Sequence, residues 1–288
     1  MKSDLFNLAK RLGEKTPSLT QGTGGNISYK ENSQLFIKPS GSRLDELTIE
    51  SLAEVDIDAF TKAWTSVESE KDYSDLIKKA SLNKHRASME TGFHVLLPKH
   101  WVIHFHSLLG ILVAELLLKD PRETERFIKQ NLKMKHCFLP FTLPGLELTN
   151  ALKGFREVEV FFLANHGVVL NSDRSEIVDR WLEFEKIAAD FFRFDFDAAR
   201  KTKVGPLKIY LPDTVVFLNE IKQSLTPVGK DHFEFVNGDK NIRELWDAST
   251  LLYHLNPELS EIPNSSIKSI LEMQTEKFRK GLLKVQSS

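Results

Sequence analysis

Two histidines stand two residues apart in His104-Phe105-His106, inside the otherwise apolar run Trp101 to His106. On a strand, residues i and i+2 project from the same face, so Val102, His104 and His106 share one side and Trp101, Ile103 and Phe105 the other. Both imidazoles could then reach one ion, although two polar residues on a half-buried strand would give the same pattern. Three features favour a metal. Imidazoles buried on an apolar strand need partners. A third histidine, His166, follows the apolar run Val158 to Leu163 and precedes Gly167, where the backbone can turn sharply. Glu90 lies upstream, in a segment (His85 to Leu97) that reads as a helix leading to the strand. Three histidines with an open fourth position form the ligand set of a catalytic zinc, with Glu90 as a base or displaceable ligand. His94, one helical turn from Glu90, reads as a packed, hydrogen-bonded residue that could orient it. His85, His100, His136, His232 and His254 have no spacing partner.

A second constellation pairs Gly24-Gly25-Asn26-Ile27-Ser28 with Lys38-Pro39-Ser40-Gly41. Glycine-rich turns expose backbone N–H groups that can cradle an anion, and Ser, Asn and Lys add donors. Two ordinary hairpin turns would look alike.

The elements that must position these residues alternate between the two periods. Ile27–Tyr29 and Leu35–Lys38 read as a hairpin around Glu31-Asn32-Ser33-Gln34. Residues 62 to 84 are charged and weakly patterned, and read as a surface loop or a helix-loop insertion. Ser107 to Leu118 and Ile177 to Phe191 read as helices, the latter with an apolar stripe of Ile177, Trp181, Phe184, Ala188 and Phe191. Strands at Val158–Leu163 and Val168–Leu170 flank Ala164-Asn165-His166-Gly167. After Val204 the texture changes: Tyr210 to Leu218 reads as a turn into a strand, Phe233–Val236 as a strand, and Ile242–Leu255 and Ser265–Leu283 as helices.

Of the 288 residues, 41% are hydrophobic and 27% charged, and the net charge is −1. These values describe a globular chain with a sizeable core and no global field favouring nucleic acid or a membrane surface. The apolar run Leu108 to Leu118 is too short to span a bilayer. The first residues carry an acid and no apolar core, so no signal peptide is expected. The single cysteine, Cys137, excludes an intramolecular disulfide and fits a reducing compartment, so a cytoplasmic location is expected.

Taken in order, Gly25-Asn26-Ile27-Ser28, Lys38-Pro39-Ser40-Gly41, Ser88-Met89-Glu90-Thr91, His104-Phe105-His106 and Asn165-His166-Gly167 resemble the class II aldolase/adducin family. The likeness is greatest to the aldolase half of bifunctional rhamnulose-phosphate aldolase/dehydrogenases, with Leu139 to Gly145 and Glu276-Lys277-Phe278-Arg279 adding to it. The resemblance implies a three-layer α/β/α domain over residues 1–204, a mostly helical C-terminal extension over 205–288, and a ring-shaped homotetramer with sites at subunit interfaces. It implies zinc, or another divalent metal, on His104, His106 and His166. It assigns acid/base work to Glu90 and substrate-phosphate binding to Gly25, Asn26, Ser40, Gly41 and Ser88. The activity implied is aldol cleavage of a ketose phosphate or related hydroxy-ketone, through an enediolate whose charge the metal stabilises. Epimerases of the family carry aspartate at the Glu90 position, and adducin-like scaffolds lack the histidines.

Two positions depart from the pattern. Met89 replaces a second hydroxyl residue. Phe141 stands where the family's tyrosine donates a proton to the aldehyde, and phenylalanine has no proton to give. Tyr210 is a candidate substitute, and a sugar-phosphate dehydratase or epimerase on the same fold, or a non-catalytic adducin-like scaffold, is the alternative.

Overall fold

The computed structural model describes residues 2–273. Seven strands form one sheet in the order β3-β2-β1-β4-β7-β6-β5. They are β1 (Asn26–Glu31), β2 (Gln34–Ile37), β3 (Ala53–Asp56), β4 (Trp101–Phe105), β5 (His136–Leu139), β6 (Val160–Leu163) and β7 (Gly167–Ser172). Neighbours are antiparallel except β5 and β6. The β1–β2 hairpin closes through Asn32 and Ser33, whose φ of 50° and 58° suit a two-residue turn matched to strand twist.

Helices cover both faces. Trp101, Ile103 and Phe105 pack with α1 (Lys2–Gly13), α5 (Leu108–Lys119), α6 (Pro121–Asn131) and α8 (Ile177–Phe192). The opposite face meets α2 (Ile57–Trp64), α3 (Glu70–Ala80), α4 (Thr91–Leu96) and α7 (Leu146–Leu152), with Val102 among Phe93, Leu148, Phe161 and Val169. The expected alternation along β4 therefore holds, as does the three-layer α/β/α arrangement. After α9 (Phe196–Lys201), the strands β8 (Val204–Gly205), β9 (Leu225–Gly229) and β10 (His232–Phe235) form a small sheet. It is joined by α10 (Pro212–Val216), α11 (Leu218–Gln223), α12 (Lys240–Leu255) and α13 (Asn264–Glu272).

Two local expectations are corrected, and one open alternative is decided. The helix expected from His85 begins only at Thr91, because the chain first turns tightly. Ser88 Oγ accepts the Glu90 N–H (3.2 Å), the Ser88 carbonyl accepts the Thr91 N–H (3.1 Å), and Glu90 becomes the residue before the helix. Of the two readings of residues 62–84, the helix-containing one holds: α3 buries Tyr73, Leu76, Ile77 and Ala80 against Phe60 and Val55. Its polar residues all lie on the solvent side, so the apolar stripe is narrow and the charges dominate the reading. The expected strand at Tyr210–Leu218 is the short helices α10 and α11, since Pro212 suits a first helical position and removes a strand donor. The last expected helix is seen as Asn264–Glu272, and the rest of it, with Glu276-Lys277-Phe278-Arg279, lies outside the described residues.

The segment after residue 204 is fastened to the sheet by buried polar contacts. Arg43 and Glu244 are 5% and 6% exposed and pair bidentately, at 2.8 and 3.1 Å. Arg43 also donates to Asp45 (2.9 Å) and Asn241 (2.7 Å), while Glu244 accepts the Gly22 N–H (2.7 Å). Elsewhere Asn165 donates to the Ser260 carbonyl (2.7 Å), and Glu115 accepts from Ser260 Oγ (2.9 Å).

Truncating one member of a buried, hydrogen-bonded ion pair strands the other charge. Glu244→Ala is therefore expected to lower the unfolding free energy by about 3–5 kcal/mol, whereas Glu159→Ala, at a surface pair with Arg180, should cost less than about 1 kcal/mol. Gly167 provides a sharper case: its φ is +133°, and a Cβ there would sit 2.3 Å from the Phe105 carbonyl oxygen. Urea titration should show Gly167→Ala destabilised by roughly 3 kcal/mol or more. Gly154→Ala, with nothing within 4 Å, should change stability by less than about 1 kcal/mol.

Candidate active site

His104 lies on β4 and His106 just beyond its end; His166 sits in the turn between β6 and β7. That turn is tight because Asn165 adopts a left-handed backbone (φ 55°) and Gly167 follows it directly against the β4 terminus. The three rings have centroids 4.8 to 5.3 Å apart. Each offers one nitrogen within 4.8 Å of the others, and exposures are 0%, 3% and 3%.

The protonation of His104 is set by its neighbour. Its Nδ1 lies 2.9 Å from the Val168 carbonyl, which can only accept, so Nδ1 carries the hydrogen and Nε2 presents a lone pair. That Nε2 is buried with no hydrogen-bond partner. Burial lowers the pKa of His104 and pushes that of His106 down to about 3 against the opposing pull of Asp213, so both rings are neutral, the form that ligates. Three convergent, buried imidazoles, with the ligating nitrogen of His104 left without a hydrogen-bond partner, suit a divalent ion of zinc type.

Glu90 Oε1 stands 3.4 Å from both His104 Nε2 and His166 Nε2. Burial opposes its ionisation, but the neighbouring histidines outweigh this and hold its pKa below the usual carboxylate range. The turn carrying it is braced from α3, where the Tyr73 hydroxyl donates to the Met89 carbonyl (2.7 Å) and accepts the Gly92 N–H (2.9 Å). His94 does not join the cluster. It shares a 2.7 Å hydrogen bond with Ser28 and stacks on Phe93, the packed role expected of it.

A small cleft opens over the cluster. Gly25, Ser40, Gly41, Ser88, Glu90, His106 and His166 line it, bringing most of the expected site residues together. Asn26 is set behind the lining, 1% exposed and paired with His104 across β1 and β4, with neither amide atom hydrogen-bonded. Lys38 Nζ donates to the carbonyls of Thr23 (3.0 Å) and Ser42 (2.8 Å), tying the two glycine-bearing loops together. Phe141 packs beside Val215 and Phe217, while Tyr210 is buried among Leu108, Ile111 and Leu251, away from the cleft, and so does not replace the missing donor. Asp213 is the cleft residue that sequence reasoning missed. It lines the cleft from α10, 3% exposed, with Oδ2 3.8 Å from His106 Nδ1. Its only sequence signal was an acid after proline in a segment that reads as a strand.

Residues 3–189 match the family model described as Class II Aldolase and Adducin N-terminal domain. An L-fuculose phosphate aldolase of Methanocaldococcus jannaschii is 24% identical over 64% of this chain and 90% of its own length. A 3-oxo-tetronate 4-phosphate decarboxylase of Haemophilus influenzae is 27% identical over 68% of this chain and 86% of its own. The fold is shared with the N-terminal class II aldolase domain of a conserved Thermoplasma acidophilum protein, at a TM-score of 0.57 and 24% identity over 66% of this chain and 92% of that one. No helix among the described residues is long and apolar enough to cross a membrane. With the family model spanning well over half of its residues, the chain belongs to the class II aldolase and adducin N-terminal domain family.

Proposed function

We propose that this chain is a metal-dependent lyase that breaks a C–C bond of a ketose phosphate or related hydroxy-ketone. The observation that carries this reading is the convergence of His104, His106 and His166 with Glu90 Oε1 3.4 Å from two of them, under a cleft. A zinc or other divalent ion on the three imidazoles would supply Lewis-acid polarisation of substrate oxygens. Glu90, beside these histidines, would move a proton at the carbon that gains or loses the bond. Gly25, Ser40, Gly41 and Ser88, which line the cleft, and Asn26, whose amide has no hydrogen-bond partner, offer N–H and hydroxyl donors for a phosphate. The catalytic unit is residues 1–204, extended by 205–288, in a homo-oligomer for which a tetramer is favoured. The intact histidine set opposes a purely scaffolding role.

The two sequence relatives are named for an aldol cleavage and a decarboxylation, both of which leave an electron pair beside a carbonyl. Phe141 favours a second reading on that common ground. An aldol step must exchange a proton with the aldehyde oxygen, and the residue expected to do so has none to exchange. Carbon dioxide departs without that exchange, so a phosphorylated 3-oxo acid is the alternative substrate.

Elemental analysis of protein purified without chelators should find about one zinc per chain, removed by chelator and absent from a His104→Ala/His106→Ala variant. A metal-free wild type would refute the reading. Incubation with a panel of ketose 1-phosphates, followed for dihydroxyacetone phosphate, and with 3-oxo-acid phosphates, followed for carbon dioxide, separates the two reactions. Glu90→Gln should keep the metal and lose about 10²–10⁴-fold in turnover on whichever substrate reacts.

A further inference from the structure

Asp213 lies beyond residues 3–189, the part of the chain that the family model matches, yet it reaches the histidine cluster. Among the described residues the two carboxylates divide the cluster: Glu90 is within ion-pair distance of His104 and His166, and Asp213 of His106. His106 Nδ1 is buried without a hydrogen-bond partner, and it is the atom that faces Asp213 Oδ2. The approach is made possible by Gly24. A Cβ on that residue would lie 2.7 Å from Asp213 Oδ2 and 2.7 Å from both Cε1 and Nδ1 of His106, so any side chain there would wedge the two apart.

We propose that Asp213 is the positioning residue for His106: its carboxylate accepts the His106 Nδ1–H, fixes the ring orientation and leaves Nε2 for the metal. The inference rests on the reading of the cluster as a metal site. Ligating histidines characteristically donate their second ring N–H to a carboxylate or a carbonyl, which orients the ring and raises its basicity. His104 meets this requirement through the Val168 carbonyl, within the sheet. His106 has no comparable backbone acceptor, and Asp213 is the group placed to serve. The present 3.8 Å is an ion-pair distance, and closing it by about 1 Å makes a hydrogen bond.

Asp213 is held firmly enough for this. Tyr210 and Leu211 on one side of it are fully buried, and Val215, Val216 and Phe217 on the other enter the core built around Trp246. Phe141 and Leu143 pack onto that same core. Residues that complete the metal centre would thus come from both the family domain and the segment after it.

The test is zinc affinity, measured by competition with a chromophoric chelator on the full chain, for wild type, Asp213→Asn, Asp213→Ala, Gly24→Ala and Val215→Ala. Melting temperatures of the metal-free forms accompany each. Val215→Ala loosens the same helix from the core while keeping the carboxylate. Asp213→Asn, Asp213→Ala and Gly24→Ala are expected to weaken zinc binding about 10–100-fold, with Val215→Ala at the wild-type value. The cobalt-substituted Asp213→Asn protein should show an altered visible spectrum. Unchanged affinity in both Asp213 variants, or an equal loss in Val215→Ala, overturns the inference while the metal site stands. A wild type that takes up no zinc overturns the metal reading, and this inference with it.

Discussion

There is no room for a side chain at residue 167. The first residue of β7 lies against the end of β4 so closely that only glycine fits, and its φ of +133° is one that other residues rarely adopt. This contact sets the distance between the β6–β7 turn and the β4 terminus, and hence between His166 and the pair on β4. The next carbonyl along β7, that of Val168, accepts the His104 Nδ1–H. One strand junction therefore brings the third imidazole into place and selects the tautomer of the first.

The surroundings repeat this economy. Tyr73 hydrogen-bonds both sides of the Glu90 turn, so the position of the carboxylate depends on α3, on the layer opposite α5 and α8. Glu244 takes Arg43 with one edge and the Gly22 N–H besides, so α12 holds the loop leading into Gly24 and Gly25. The segment after residue 204 is bonded to both loop systems and to the β6–β7 turn through Asn165 and Ser260. Its removal would expose Arg43, Asn165 and Phe141, which it now covers.

What could be read from the sequence follows from which signals are local. His104 and His106 were legible because their relation is a two-residue spacing on one strand. His166 and Glu90 were legible as chemistry-bearing types next to a glycine and in a recurring motif. Gly25, Ser40 and Gly41 were legible as turns, and Ser88 only through the motif it shares with Glu90. Asp213 was not, since its nearness to His106 comes from tertiary packing across 107 positions that no periodicity encodes. Tyr73 was hidden for a similar reason, its helix carrying so many charges that its buried stripe was masked. The late start of α4 was missed because Ser88 competes with the helix by hydrogen-bonding the backbone two residues on. Phe141 was correctly seen as unable to donate, but what it does instead, packing beside the core that carries α10, needed the fold.

The arrangement of Lys38 bears on how a ligand would be held. Lys38 is 2% exposed and lines the cleft, with its ammonium group engaged by the Thr23 and Ser42 carbonyls, so it stiffens the two loops. The donors those loops turn toward the cleft are then set, beside one cation, before any ligand arrives. Little of a ligand's binding energy would go into ordering them.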